Sequence, residues 1–459
     1  MKKVEIQKII GYILIVACVG IVSFYGGNLN PRQLLSVVVF SSFVAGSLFY
    51  WPFRNAFALI GITLLLGLNI LDVEHLLRFA QLDIILFLIG MMTIIAFLEE
   101  KKFFDWLINI LIKPFTNKPT IMIAILFLLG TIMAALVDEV TSILFMSVIT
   151  IKILKCYNIT GAKVLPFIMF LVFTTNIGSS ALPVGNPIGV LIAFQAGFTI
   201  NEFIRWMLPL ALIASVATIL MGLTYLRRAT NFHKNTICMD SIESIKMNRD
   251  IQIALIAFIA VIAGLVLHAR IEEALNLTKN TMLLGVPLIV AGCVLMVSRS
   301  NAQALVSKVD WWTLLYFMLL FASVGTLSYT GVTTRLAEII MGSVSGLFGT
   351  MLLVGITISL LTAFMDNVLA VATIAPVVQA LGASGIPSEP IWWIMLVGGT
   401  YCGNATIIGS TANIVAAGCM EKQGFGSFSQ WGWIKLGVIV SVVTFLISFA
   451  LLAFQFGAF

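Results

Sequence analysis

Ala134-Ala135-Leu136-Val137-Asp138-Glu139-Val140-Thr141-Ser142 sets two adjacent carboxyls into a long apolar stretch. They are the only charges between Lys118 and Lys152. A second such run, Thr362-Ala363-Phe364-Met365-Asp366-Asn367-Val368, holds the only charge between Glu338 and Glu389. Each acid is followed by an Asn in an uncharged, glycine-broken segment: Asn176 (176 − 138 = 38) and Asn404 (404 − 366 = 38). A carboxyl at bilayer depth is costly, and by default it marks an ion pathway or proton relay. Two of them at matched places in two halves read as a transport site.

The rest of the chain agrees with a membrane setting. Of its 459 residues, 60% are hydrophobic and 10% charged, and the mean hydropathy is +1.09. A soluble domain cannot hide that much apolar surface, so the reading is an all-α polytopic membrane protein. Six scattered cysteines form no CxxC pair, which argues against a disulfide framework or a zinc site. His75, His233 and His268 fall at or near predicted loops and read as solvated or interfacial. No HExxH, GxSxG or Walker loop is present, so no enzyme and no ATP-driven pump is expected from this chain. No nucleic-acid partner is expected either, since the net charge of +6 serves topology.

Apolar runs place spans at 9–25, 33–50, 56–71 and 83–98, then an amphipathic interfacial stretch at 101–111. The run 120–151 follows. As one helix it would measure about 48 Å, well beyond a hydrocarbon core of ~30 Å. It is either one long tilted span or a hairpin that enters and leaves on one side. Charge bias decides. With the N-terminus cytoplasmic and both 120–151 and 346–380 treated as re-entrant hairpins, 20 Lys and Arg residues lie inside. Six lie outside: Arg32, Arg78, Arg205, Arg270, Lys279 and Arg335. If both stretches crossed once, the split would be 14 to 12. The positive-inside rule favours hairpins.

A broken segment 164–199 and a span 205–225 close the first half, and a basic linker, 226–250, follows. Spans 251–268, 280–297 and 311–327, an interfacial stretch 331–342, the hairpin 346–380, a broken segment 390–418 and a last span 432–455 make the second. The expected domains are therefore 1–82, N-terminal spans and scaffold; 83–225, repeat 1; 226–250, cytoplasmic linker; and 251–459, repeat 2. About 11 transmembrane helices and two re-entrant hairpins form two inverted repeats, a common build of secondary transporters. The offset is 228 between Asp138 and Asp366, and between Asn176 and Asn404.

The candidate ion-binding residues are Asp138, Glu139, Thr141, Asn176, Gly178, Ser180, Gly185 and Asn186 in the first half. In the second they are Asp366, Asn367, Asn404, Thr406, Gly409, Ser410 and Asn413. Amides, hydroxyls and freed carbonyls at a helix break are hard oxygen ligands that suit Na⁺, with Asp138, Asn176, Asp366 and Asn404 as its prime ligands. The competing reading is that small polar residues only pack helices together. Glu139 either joins the site or points away from it. Gly178, Gly185, Gly403 and Gly409 are expected to permit unwound backbone.

At these positions the chain resembles the arsenite-permease and NhaD-type sodium/proton antiporter branch of the ion transporter superfamily, which includes the pink-eyed dilution protein. Leu136-Val137-Asp138-Glu139-Val140-Thr141-Ser142 is close to the family's Asp-Asn-Val-Thr-Thr hairpin, and Ala363-Phe364-Met365-Asp366-Asn367 to its second hairpin. Gly403-Asn404-Ala405-Thr406-Ile407-Ile408-Gly409-Ser410-Thr411-Ala412-Asn413 is similar to its Asn-Gly-Thr-Leu-Ile-Gly-Ala-Ser-Ala-Asn run. Two departures stand out: Glu139 replaces an Asn, and Asn186 stands where the family often has Asp. The resemblance implies an elevator mechanism, with a mobile transport region beside a scaffold, and a homodimer.

The expected function is secondary active ion transport in the cytoplasmic membrane, as Na⁺/H⁺ antiport, with no cofactor beyond Na⁺ or H⁺ as coupling ions. The expected partners are the lipid bilayer and a small inorganic ion. The alternative is efflux of arsenite, another metalloid or an oxyanion, or Na⁺-coupled anion transport.

Overall fold

The computed structural model describes residues 2–26, 29–112, 118–230, 246–344 and 346–458. Residues 231–245, the larger part of the expected linker, lie outside the described residues together with His233 and Cys238. All regular structure among the described residues is helical. In chain order the helices are α1 Lys2–Gly26, α2 Pro31–Phe49, α3 Arg54–Gly67, α4 Val73–Phe79, α5 Leu82–Glu100, α6 Phe103–Ile112 and α7 Pro119–Leu136. Next come α8 Glu139–Cys156, α9 Leu165–Gly178, α10 Pro187–Ala196, α11 Ile200–Thr230, α12 Arg249–Leu275, α13 Thr281–Ser298 and α14 Ala302–Ser307. The last are α15 Trp311–Tyr329, α16 Val332–Ser343, α17 Gly346–Phe364, α18 Asn367–Ala383, α19 Glu389–Tyr401, α20 Thr411–Lys422 and α21 Gln430–Gln455. Eleven helices of the described residues are long and apolar enough to cross a membrane.

The expected spans fall on these helices. The order of α5 to α11 (long helix, short helix, two helices with a two-residue break, two more with a longer break, long helix) recurs in α15 to α21. Sequence reading does not find α4 and α14, of seven and six residues, because neither is long enough to show a period.

The stretch 120–151 is not one helix. It breaks at Val137 and Asp138, where Asp138 takes an extended conformation (φ −178°, ψ 163°) and caps α8 through Val140 N and Thr141 N. The matching break before α18 holds Met365 and Asp366. Breaks after α9 and α19 are set by N-caps too: Asn186 accepts from Gly189 N before α10, and Ser410 accepts from Ala412 N before α20.

The chain forms two compact units. One comprises Met1–Leu88, Asp310–Leu353 and Ala372–Ser388. Within it, α15 packs on α2, α3, α4 and α16. Arg54 is buried there, donating to Thr313 Oγ1 at 3.1 Å and lying 4.2 Å from the centre of the Trp51 ring.

The other unit comprises Ile89–Val309, Val354–Val371 and Glu389–Phe459. Its centre is α9, in which every residue from Phe167 to Gly178 is buried. A helix that is apolar all round needs neighbours on every side, and α9 has α7, α8, α11, α19 and α20. In lipid, close backbone packing replaces the hydrophobic drive between helices. Gly178 shows it: a Cβ there would sit 2.3 Å from the Thr131 carbonyl oxygen.

One expectation is overturned in this unit. His268 is not solvated. It is fully buried within α12, with Nδ1 2.7 Å from Leu265 O. Three charged residues within one turn, Arg270, Glu272 and Glu273, make its segment read as a loop in sequence; Arg270 and Glu273 are exposed, but Glu272 is buried and turned inward to accept from Asn280 N and Met282 N.

Candidate functional site

Every candidate site residue belongs to the second unit. Their hydrogen bonds centre on Glu139, the residue sequence reading left open. Glu139 opens α8 and is 2% exposed. Its Oε2 accepts from Ser179 Oγ at 2.9 Å, and its Oε1 from Asn367 Nδ2 and Ser410 Oγ, both at 3.4 Å. Its hydrogen-bond partners among the described residues are all uncharged.

A second hub is Asn176. It donates to Asn404 Oδ1 at 2.7 Å and to Asn413 Oδ1 at 2.8 Å. Its own Oδ1 accepts from Ser410 Oγ at 3.2 Å. Ser410 Oγ therefore lies between Glu139 Oε1 and Asn176 Oδ1, and three hard oxygens converge. Asn186 joins through Ser179, donating to its Oγ at 2.7 Å. The two departures from the family pattern, Glu139 and Asn186, thus meet on one hydroxyl.

Two contacts join residues exactly one repeat apart in sequence, Asn176 with Asn404 and Glu139 with Asn367, each separated by 228 positions. Matched positions of the two halves thus meet directly in the site.

The arrangement is also a meeting of helix starts. Glu139 and Asn367 begin α8 and α18, Asn186 caps α10 and Ser410 caps α20. Helix N-termini carry partial positive charge, which favours a carboxylate among them.

Asp138 is placed differently. Half-buried, it spends Oδ1 on Val140 N (2.8 Å) and Thr141 N (3.0 Å), so its bonds stay with its own helix. Asp366 is buried; its Oδ1 accepts from Val368 N at 3.0 Å and its Oδ2 from Thr411 Oγ1 at 2.8 Å. Of the four prime Na⁺ ligands expected from sequence, Asn176 and Asn404 bond each other, Asp366 accepts from Thr411 and Asp138 caps α8. Among the described residues no three His, Cys, Asp or Glu side chains gather as metal ligands.

The remaining candidates are structural neighbours of the hubs. Thr141 meets Asp138 through its backbone. Ser180 Oγ lies 3.3 Å from Tyr401 Oη, Thr406 Oγ1 donates to Ala363 O at 2.6 Å, and Asn413 Nδ2 donates to Gly403 O and Thr406 O, both at 2.8 Å. The glycines act by space rather than by left-handed backbone. Gly178, Gly185, Gly403 and Gly409 are absent from the positive-φ positions, and a Cβ on Gly185 would stand 2.2 Å from Ser179 O.

Sequence reading missed Tyr401 and Trp433. Trp433 Nε1 donates to Asn404 O at 3.0 Å, and Ser441 Oγ to Tyr401 O at 3.0 Å. The available signal was the spacing of Ser441, Thr444 and Ser448, which puts three buried hydroxyl residues on one face of α21.

Comparison with known proteins follows the same lines. The family model CitMHS, described as citrate transporter, matches residues 48–398. An uncharacterized transporter of Mycobacterium bovis is 31% identical over 376 residues, covering 79% of this chain and 83% of that protein. The human P protein is 24% identical over 505 residues, covering 91% of this chain and 59% of that protein. In structure, the YdaH transporter of Alcanivorax borkumensis aligns with a TM-score of 0.57 at 16% identity, covering 84% of this chain and 87% of that one. MtrF of Neisseria gonorrhoeae aligns at 0.53 and 15%, covering 85% and 84%. At these identities the likeness is one of fold.

Proposed function

The chain belongs to the citrate transporter (CitMHS) family of multi-pass membrane transporters, and on that premise we propose that it is a cation/proton antiporter in which Glu139 is the coupling carboxyl. The observation that carries this reading is a buried carboxyl held by Ser179, Asn367 and Ser410, all neutral donors. With no basic partner among the described residues to fix its charge, such a group alternates between proton and cation. The Glu139, Asn176 and Ser410 oxygens supply hard ligands of the type Na⁺ takes. Asp366, one position from Asn367, adds negative potential.

The proposal keeps the rest of the transport cycle expected from sequence. The stretches 120–151 and 346–380 enter and leave the membrane on one side, the two repeats run in opposite senses, and the site moves as one body in an elevator cycle. That every site residue belongs to one compact unit supports this. The N-terminus is cytoplasmic and the protein works as a homodimer in the cell membrane.

A second reading has its own observation. The four helix N-termini around Glu139 favour negative charge, which suits a bound anion carried together with cations. A citrate-like carboxylate is the first anion to try.

Purified protein in liposomes, loaded with a pH-sensitive dye, distinguishes the two. Antiport gives Na⁺- or Li⁺-evoked alkalinisation of an acid lumen without any anion. If dye signals need citrate or arsenite and fail with chloride salts of every alkali cation, the antiport reading is wrong and the anion reading replaces it.

A further inference from the structure

Three hydroxyls on α8 have no use in the site just described. Ser142, Ser147 and Thr150 are completely buried, and their Oγ or Oγ1 atoms have no hydrogen-bond partner among the described residues. This is unusual within the chain itself. Thr218, Thr326, Thr362 and Thr400 are buried in helices too, and each donates to the carbonyl four residues back. A buried hydroxyl left unmatched costs about 1–3 kcal/mol, so three in a row on one helix need a reason.

Their positions give one. At about 100° per residue, Ser142, Thr150 and Ser147 fall within an arc of roughly 140° that also contains Glu139. The four polar groups rise along that arc over about 16 Å. Glu139 is at the inner end. Beyond Thr150 the same helix reaches exposed Lys152 and Lys155, and exposed Asn158 follows. α8 packs against α7, α9 and α20. Ile143 and Met146 interrupt the polar face, so the longest step, from Ser142 to Ser147, is about 7.5 Å of rise and needs water to bridge it.

We propose that Ser142, Ser147 and Thr150 line a water-bridged proton route between Glu139 and the Lys152–Asn158 end of α8. A hydroxyl both donates and accepts. Each one takes a proton on one side and passes its own on the other, so the relay ends unchanged. The only bond broken for good is the O–H of protonated Glu139, and the proton leaves to solvent water. The inference rests on the proposed role of Glu139 as the coupling carboxyl.

The test measures ion-evoked proton flux in liposomes for wild type, Ser147→Ala, Thr150→Val, the triple variant Ser142→Ala/Ser147→Ala/Thr150→Val, and Thr218→Val as a control that removes an already satisfied hydroxyl. The expected result is a loss of roughly tenfold or more in maximal proton flux for the triple variant, with part of that loss in each single variant. The ion concentration giving half-maximal flux should stay unchanged, and Thr218→Val should behave as wild type. Size-exclusion elution and melting temperature check the fold, and if the triple variant fails there the two single variants decide. Wild-type flux in the hydroxyl variants overturns the route while leaving the antiport reading standing. Absence of ion-evoked proton flux in wild type overturns the antiport reading, and the route falls with it.

Discussion

Replacing Glu139 by Gln separates the charge of this residue from its packing. The carboxyl has two ends. One accepts from Ser179 Oγ, and the other from Asn367 Nδ2 and Ser410 Oγ. A glutamine fits if its oxygen takes the Asn367 and Ser410 end and its amide turns to Ser179. Ser179 Oγ can accept that amide, because its own proton has a second acceptor, Asn176 O, at 2.9 Å. Every group then keeps a partner, and the stability change should stay within about 1 kcal/mol. Glu139→Ala is different. Ser179 and Ser410 retain Asn176 as acceptor, but Asn367 Nδ2 loses the Glu139 carboxylate as acceptor and a cavity opens, costing about 2–4 kcal/mol. Melting of the detergent-solubilised variants measures the difference, and dye-loaded liposomes measure coupling. Glu139→Gln should melt near wild type and show no ion-evoked proton flux. A glutamine variant that carries protons at the wild-type rate refutes the role of Glu139. One that melts as low as the alanine variant refutes the hydrogen-bond geometry.

Asn176→Ala and Asn404→Ala should each raise the ion concentration for half-maximal transport more than they lower expression, which a flux titration alongside yield will show. Asp138→Asn and Asp366→Asn should both purify near wild-type levels, since an asparagine oxygen caps a helix as well as aspartate does; Asp366→Asn, next to the hub, should lose coupling in the same flux assay. Gly437→Ala should cut the yield of folded protein severely, because its Cβ would meet Asn404 O at 2.2 Å and overpacking of that kind costs about 1–3 kcal/mol or more; gel filtration of the solubilised membrane reads it. A cysteine at exposed Met247, within the linker, should resist impermeant thiol reagents in intact cells and react after lysis.

Much of this was legible in the residue string. Isolated acids at Asp138 and Asp366 announced the helix breaks, because a short polar side chain inside an apolar run is affordable only as a cap or a ligand. The correspondence of Asn176 and Asn404 was legible in their equal spacing in the two halves, and their direct contact was not. The choice between Asp138 and Glu139 was not legible. Neighbouring residues at a helix start differ by about 100° in direction, and which one faces inward depends on how α8 is rotated against α9 and α20. The burial of His268 was hidden for a similar reason, since Arg270 and Glu273 near it in sequence are exposed while Glu272, one turn on, is buried with it. Tyr401 and Trp433 were missed because aromatic residues in a span are usually packing, and only their long-range partners give them away.

The contacts between residues 228 positions apart have an evolutionary consequence. In an ancestor with one repeat per chain, two copies would have met at these same points, each residue facing itself. Asn176 and Asn404 keep that condition, amide against amide. Glu139 and Asn367 cannot descend from it unchanged, since two identical acids in that spot would repel and two identical amides would carry no charge. In a single chain the two sides are encoded separately, so position 139 can carry a carboxyl while the position it meets, 367, carries an amide.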